Sequence, residues 1–453
     1  MASFKLKILF ICSVFTLLFA AKWAGAQGNN ETRDLARQLR FLSFVYRDSA
    51  PTVEETRTFQ QSKDINSFLK VWKNSPEHKL KIKRAFGEIL FVKSPNYFFP
   101  GFRQNLKRDK GSNLTDPADD YYYLGRKGKG SCGGIVNTQA WWSPTQVRVC
   151  QHALDKDLIK VVNGKNIFCA RTGDPACGCG PDLLLCKPED QDWQFSLSVD
   201  GELGERGLYA VESDKSWKDV FGGQEFVGDK HLYHTYLFLS GIFHKGEMPL
   251  AEDLQRLKNL ESGKVSVVPF PKGPSPFVGY VTSPGFLSSY NNFRSRVRGL
   301  TERLLCRDID ASLNTAGLTT FLNPDLTAAD RAHGELAGCS GCHFGMDNFG
   351  SAFFNWNQSA QFESWTAPKS QKFSAFGQEG DNLAGLVSAL IDKSPWFHEC
   401  MAKRTWENLT GGSWELLDAE SQSEFTGGAR KGPRALVTGI LESQKLIQLR
   451  ARR

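Results

Sequence analysis

The sequence predicts a mainly α-helical fold: a helical body with a disulfide-stapled, loop-rich insert and some short β-strands. Three observations predict it. Apolar residues recur with helical period towards both ends of the 453-residue chain. Six cysteines crowd into the stretch 132–186 between those ends. Short alternating runs, the mark of half-buried strands, follow that stretch.

The first element is an export signal over residues 1–26. Lys5 and Lys7 make a basic start, Ile8 to Ala21 is an almost unbroken apolar run, and Ala24-Gly25-Ala26 supplies small residues for cleavage. The apolar run is short for a bilayer and ends at Lys22, so cleavage is expected rather than retention as an anchor. Cys12 lies inside the run behind the bulky Ile11, which argues against a lipid-anchored start.

From Gln27 onward 427 residues remain, enough for two or three domains or one large helical body. Lys5, Lys7 and Lys22 leave with the signal, and the balance becomes 53 basic against 49 acidic residues, or +4. That excess is too small to mark nucleic acid or an anionic membrane as partner. No later segment is long and apolar enough to form a transmembrane span. A periplasmic or secreted protein with a large aromatic core is expected, since the chain holds 33 Phe and 11 Trp.

The chain divides into four regions after the signal. Over 27–100, Leu35, Leu39, Leu42 and Tyr46 share one helical face, and Thr52-Val53-Glu54-Glu55 forms a capping box that opens a second helix. A third helix is expected from His78 to Val92, with Leu80, Ile82, Ala85, Phe86, Ile89 and Leu90 mostly inward. Over 101–190 the chain is rich in Gly, Asp, Lys and Cys and predicts loops. Over 191–277, Phe195 to Val199 and Val265 to Phe270 alternate as strands do, around a helical stretch near Leu232 to Leu260. The last region, 278–453, is helical again.

Within it stands Cys339-Ser340-Gly341-Cys342-His343, the C-x-x-C-H pattern of covalent haem attachment. Residues i, i+3 and i+4 share a face of one helical turn, so two thiols reach one porphyrin edge and the imidazole rises to the iron. Ser340 and Gly341 are small enough to let the backbone lie against the macrocycle. Thr327-Ala328-Ala329-Asp330 resembles a capping box, from which a helix would run towards the cysteines. Downstream, Phe344, Phe349, Phe353, Phe354 and Trp356 are candidate walls of a haem pocket.

With 11 Cys and 8 His in the chain, chance composition yields this pattern in about one chain in 200. Haem is attached outside the cytoplasm, and the export signal meets that requirement independently. A zinc site would need two more ligands, and only His333 is close in sequence. One covalent haem c is therefore the expected cofactor, with Cys339 and Cys342 as attachment points and His343 as proximal iron ligand.

The stretch Cys339 to Gly350, with Met346-Asp347-Asn348-Phe349-Gly350 after the haem pattern, resembles the planctomycete-type cytochrome c domains of bacteria, which tend to read C-x-x-C-H-x-x-M-D-P-x-G. Weaker matches fall in the expected order at Leu80 to Pro95, Ser216 to Phe221, Thr282 to Leu287 with Arg294, Arg296 and Cys306, and Ser394 to Phe397 with Cys400 and Gly411. The likeness thus spans most of the chain after the signal. Asn348 departs from the pattern, which has proline there. The resemblance implies a cytochrome and leaves its purpose open.

Eight further cysteines follow the signal: Cys132, Cys150, Cys169, Cys177, Cys179, Cys186, Cys306 and Cys400. An even number in an exported chain predicts disulfides. The rival, a metal site on Cys177, Cys179 and Cys186, has a C-x-C spacing that suits tetrahedral zinc less well. Cys306 and Cys400 are expected to pair, because each flanks the haem segment and the other six are distant in sequence. A Cys150/His152 nucleophile lacks any orienting group, and the Gly-rich stretch Gly125 to Gly134 lacks the frame of a phosphate loop.

Two classes of function remain. One is single-electron transfer to a redox partner protein, with a second axial ligand on the iron. The other is a haem enzyme or sensor whose open iron position meets a small oxidant or gas. No catalytic residue is assigned. Of the methionines after the signal, Met248 is remote and Met346 too close to His343, so Met401 is the expected distal ligand, with His398 and His333 as rivals.

Overall fold

The computed structural model describes residues 33–89, 104–109, 120–125, 127–170, 174, 176–273, 275–308, 321, 324–336, 339–357, 362, 369–443 and 446. The expected export signal over 1–26, with Cys12, and the expected helix residues Leu90 and Val92 lie outside the described residues. The protein is mainly α-helical with short strands, and four disulfides lie among the described residues.

Helix α1 spans 33–47; of its expected face, Leu39, Leu42 and Tyr46 are buried, and Leu35, in the first turn, is half-buried against the core. Helix α2, Val53–Ser62, opens on the predicted capping box between Thr52 and Glu55. A third short helix, α3, covers Ile65–Trp72 behind an Asp64 cap. Helix α4, Pro76–Ile89, buries His78, Ile82, Ala85, Phe86 and Ile89. Leu80 corrects the expectation: it is 43% exposed, on the solvent side of the stripe that Ile82 and Phe86 define.

The region read as loops contains a sheet. Strands β1 (Gln104–Asp109), β2 (Tyr121–Leu124), β3 (Ile135–Thr138) and β4 (Val147–Cys150) join β7 (Cys186–Pro188) in the order β3-β4-β2-β1-β7. Strands β5 (Ile159–Val162) and β6 (Lys165–Phe168) form a separate antiparallel hairpin. Runs of three to six residues are too short to show a period against the Gly and Asp around them. The Gly125 to Gly134 stretch connects β2 to β3. Cys132–Cys150, Cys169–Cys177 and Cys179–Cys186 staple the region, so Cys177 and Cys179 belong to different bridges and not to one metal site. Cys150 is a half-cystine, and His152 Nε2 accepts a hydrogen bond from the Leu124 N–H.

Residues 195–199 are also not a strand. They lie within α5, Asp192–Ser213, which packs along α4. The approach is so close that a Cβ on Gly207 would fall 2.1 Å from Phe86 Cγ. Helix α6 (Trp217–Gly222) and strand β8 (Glu225–Gly228) follow. The predicted helical stretch resolves into two, α7 (Lys230–Leu239), buried on every side, and α8 (Ala251–Asn259). Strand β9, Ser266–Pro269, pairs antiparallel with β8 as its alternation predicts.

The last region contains α9 (Pro284–Ser289), α10 (Phe293–Leu300) with a π-turn at 301–305, α11 (Ala328–Glu335) and α12 (Ser340–Gly350). A hairpin of β10 (Phe373–Ala375) and β11 (Gln378–Gly380) leads to α13 (Leu383–Lys393), α14 (Phe397–Thr410), α15 (Ala419–Lys431) and α16 (Pro433–Glu442). The expected Cys306–Cys400 bridge ties the π-turn to α14. Trp217 Nε1 donates to Ala429 O at 2.7 Å, and the Tyr46 hydroxyl donates to Leu441 O at 2.8 Å, so the C-terminal helices lock onto earlier ones. No helix of the described residues is long and apolar enough to cross a membrane.

Candidate functional site

The C-x-x-C-H residues occupy the first turn of α12. Thr327 caps α11 by accepting the Asp330 N–H at 3.1 Å. That helix does not run on into the cysteines as the sequence suggests. It ends at Glu335, and Leu336 turns the chain by accepting the Cys339 and Ser340 N–H groups at 2.9 and 2.8 Å. A fresh helix then starts, and the His343 N–H donates to Cys339 O at 3.0 Å. This closed turn places Cys339, Cys342 and His343 on one side of the helix.

Three features of the turn fit a covalently held haem. Among the described residues, Cys339 and Cys342 alone are unlinked, while every other cysteine is in a bridge. Cys342 is exposed and Cys339 half-buried, so both thiols are reachable. The buried Nδ1 of His343 has no hydrogen-bond partner, and leaving such an atom unsatisfied costs about 1–3 kcal/mol. The donor set is thus two thiols and an imidazole, each with bonding capacity that the chain does not use. A directly coordinated zinc is less well served: no group of three His, Cys, Asp or Glu side chains converges among the described residues.

The turn is held from behind by an ion-pair cluster. Arg294 on α10 reaches Asp347 on α12 through two bonds, at 2.6 and 2.9 Å, and Asp330 on α11 at 2.9 Å. Asp347 is fully buried. Its bond to Arg294 is the main reason that guanidinium holds its proton more tightly than usual. Burial works to raise the Asp330 carboxyl, but Thr327 and Arg294 outweigh it and hold its pKa below the ordinary range. Gly350 lets the helices approach, since a Cβ there would lie 2.9 Å from both Phe293 and Val297. The sequence contained Asp330 only as a cap residue; its part in fixing α11 to α12 was not visible without the fold.

The aromatic residues divide. Phe349, Phe353 and Trp356 are buried in the body of the protein, against Phe376, Phe286 and Phe277 respectively. Phe344 remains half-buried beside Phe321, and Phe354 packs on Phe293. Asn348, where the cytochrome pattern has proline, lies buried within an unbroken α12.

The three residues expected to compete as distal ligand are also separated. His333 is on α11 with its ring centroid 5.2 Å from that of His343. Met401 and His398 are on α14, which packs on α4, α15 and the π-turn, whereas α12 packs on α10, α11 and β10. Met401 is fully buried. His398 is half-buried, and burial together with Arg430 lowers its pKa. His333 is thus brought beside the motif, while Met401 and His398 belong to a different helical layer. No family model, curated protein or solved structure matches this chain.

Proposed function

We propose that the chain is an exported mono-haem c-type cytochrome that passes single electrons to a redox partner protein in the periplasm or outside the cell. The observation that carries this reading is the pair Cys339 and Cys342, the two cysteines left unlinked in a described chain that otherwise oxidises its cysteines pairwise. Their place one turn apart, followed by His343 with an unpartnered buried ring nitrogen, supports the same reading. The likeness of the segment to planctomycete-type cytochrome c domains adds to it. A bound haem supplies a reversible one-electron couple. The chain's own part is to hold both thiols and the imidazole on one rigid turn, which Arg294 and Asp347 brace against α10.

A second reading, a haem enzyme or sensor with an open iron position, is favoured by one observation. The methionine expected opposite His343 sits in α14, a helix whose main packing partners are not those of α12. One experiment separates the readings: absorption spectra of the purified protein, oxidised and reduced, with and without carbon monoxide. A c-type spectrum that carbon monoxide leaves unchanged is the expected result for a carrier, and rapid binding gives the open-site class. A denaturing gel stained for haem must lose its signal when Cys339 and Cys342 are both replaced by Ala. Persistent staining would overturn the reading altogether.

A further inference from the structure

A groove of about 390 Å³ runs along one face of α5, far in sequence from the haem motif. One wall is built from Gln194, Leu197, Ser198, Gly201, Glu202 and Glu205, residues spaced three and four apart. The facing wall is the end of β8 with Asp229 and the loop carrying Gly263 and Val265. Its volume is within the range of about 300–1,000 Å³ usual for small-molecule sites.

The rim is apolar and open. Trp193 and Leu197 are 60% and 61% exposed, and Val265 is 40% exposed. A Cβ added at Gly201 would meet nothing within 4 Å, so the floor there is empty. Trp193, Leu197 and Val265 thus give the groove an apolar rim that a ligand's alkyl part can cover.

The interior is acidic and short of donors. Glu202 is 1% exposed, and its Oε1 accepts from the Tyr236 hydroxyl at 2.6 Å and from Arg206 Nε at 3.0 Å. Its Oε2 has no partner, nor has the buried Oε1 of Gln194. Asp229 is held by neutral donors, Ser198 Oγ, the Leu232 N–H and the Gly263 N–H, with His231 Nδ1 at 3.7 Å. Glu205 is paired with Lys83. Burial raises the Glu202 pKa against the pull of Arg206 and Tyr236, Lys83 offsets Glu205, and Asp229, whose pKa its donors hold low against burial, carries the negative charge of the groove.

Unfilled acceptors, negative charge and an exposed indole beside alkyl side chains call for one kind of ligand: a cation with N–H donors and an apolar body. We propose that this groove is a binding site for a small primary alkylammonium, its N–H groups turned to Glu202 Oε2 and Gln194 Oε1 and its chain laid along Trp193, Leu197 and Val265. The site is independent of the haem reading.

The test is calorimetric titration of the full-length protein with n-hexylammonium, 1-hexanol and tetramethylammonium, followed in parallel by tryptophan fluorescence. Hexylammonium should saturate below about 10 mM. Hexanol lacks the charge and tetramethylammonium lacks the N–H donors, so each should bind at least about tenfold more weakly. Trp193→Ala, at an exposed position, should weaken hexylammonium about fivefold without lowering the melting temperature. Gln194→Leu should weaken it about tenfold, and thermal melting confirms that this variant is folded. Absence of saturation, equal binding of hexanol, or unchanged affinity in Trp193→Ala would each overturn the proposal.

Discussion

Arg294 holds the buried carboxylate of Asp347 with two hydrogen bonds, 2.6 and 2.9 Å long, across the interface between α10 and the haem-motif helix. Asp347 has no access to water, while Arg294 keeps a quarter of its side chain exposed. The pair is therefore asymmetric. Arg294→Ala leaves a buried charge uncompensated and should cost about 3–5 kcal/mol. Asp330→Ala removes only the half-exposed member and a capping contact, and should cost about 1 kcal/mol. Urea unfolding of both variants checks the order, and equal losses would mean that Asp347 does not depend on Arg294.

Gly350 gives a second handle on the same interface. An added methyl would press on Phe293 and Val297, which sit on α10 beside the Arg294 contact. Gly350→Ala should therefore cost about 1–3 kcal/mol by overpacking. On the proposed haem reading, loosening α12 in this way should also reduce the yield of covalently attached haem, measured as haem absorbance per protein. A variant as stable as the parent would show that the helices have room to separate.

The bridge between Cys306 and Cys400 closes a loop across 94 residues that contains the whole haem motif. In the chain-entropy account such a loop contributes on the order of 4 kcal/mol. Replacing both cysteines with Ser should lower stability by that order, and non-reducing peptide mapping of the parent should recover a 306–400 cross-linked peptide. Free thiols at both positions would refute the pairing.

What the sequence made legible follows from how local each signal is. The C-x-x-C-H turn, the Thr52–Glu55 capping box and the α1 stripe are set by neighbours within four residues, and all three take the expected local form. The Phe195 to Val199 alternation misled because Ser196 sits on α5 with its hydroxyl bonded to the carbonyl four residues back, a helical use of a residue that also alternates. The sheet in 104–188 was hidden because β1 pairs with β7, some eighty residues away, and no short-range pattern encodes that. Asp330 and Asp347 meet at Arg294 for the same reason: the contact belongs to the packing of three helices.

Acid should loosen the N-terminal helices. Burial works against the Glu55 carboxylate, but two bonds from Arg47, the Thr52 N–H and the Trp72 indole outweigh it and hold its pKa at about 2, down from 4.5. A carboxyl with a depressed folded pKa adds stability above its unfolded value and loses it as pH falls through the folded one. The contribution, about 1–2 kcal/mol after solvent screening, should therefore vanish between about pH 5 and pH 2. Glu55→Gln should be less stable than the parent at pH 7 and should flatten the unfolding curve across that window. A pH profile unchanged by the substitution would mean that the Arg47 contact carries no net stability.

Met401 tests how the iron of the proposed haem would be completed. It is fully buried on α14, between helices that pack on one another independently of α12. One ring path between the two layers runs through Phe376, which lies against Phe349 on one side and Trp396, just before α14, on the other. Met401→Ala should accordingly cost about 2–5 kcal/mol, the usual penalty for emptying a buried site. The spectrum carries the second half of the test. If a sulfur-to-iron charge-transfer band is present in the parent and lost in the variant, Met401 is the distal ligand despite its layer, and the potential should fall with it. If the visible spectrum is unchanged while stability drops, Met401 is a packing residue. His333, whose ring already lies 5.2 Å from that of His343, then becomes the first position to replace, and His333→Ala should shift the spectrum if that imidazole reaches the iron.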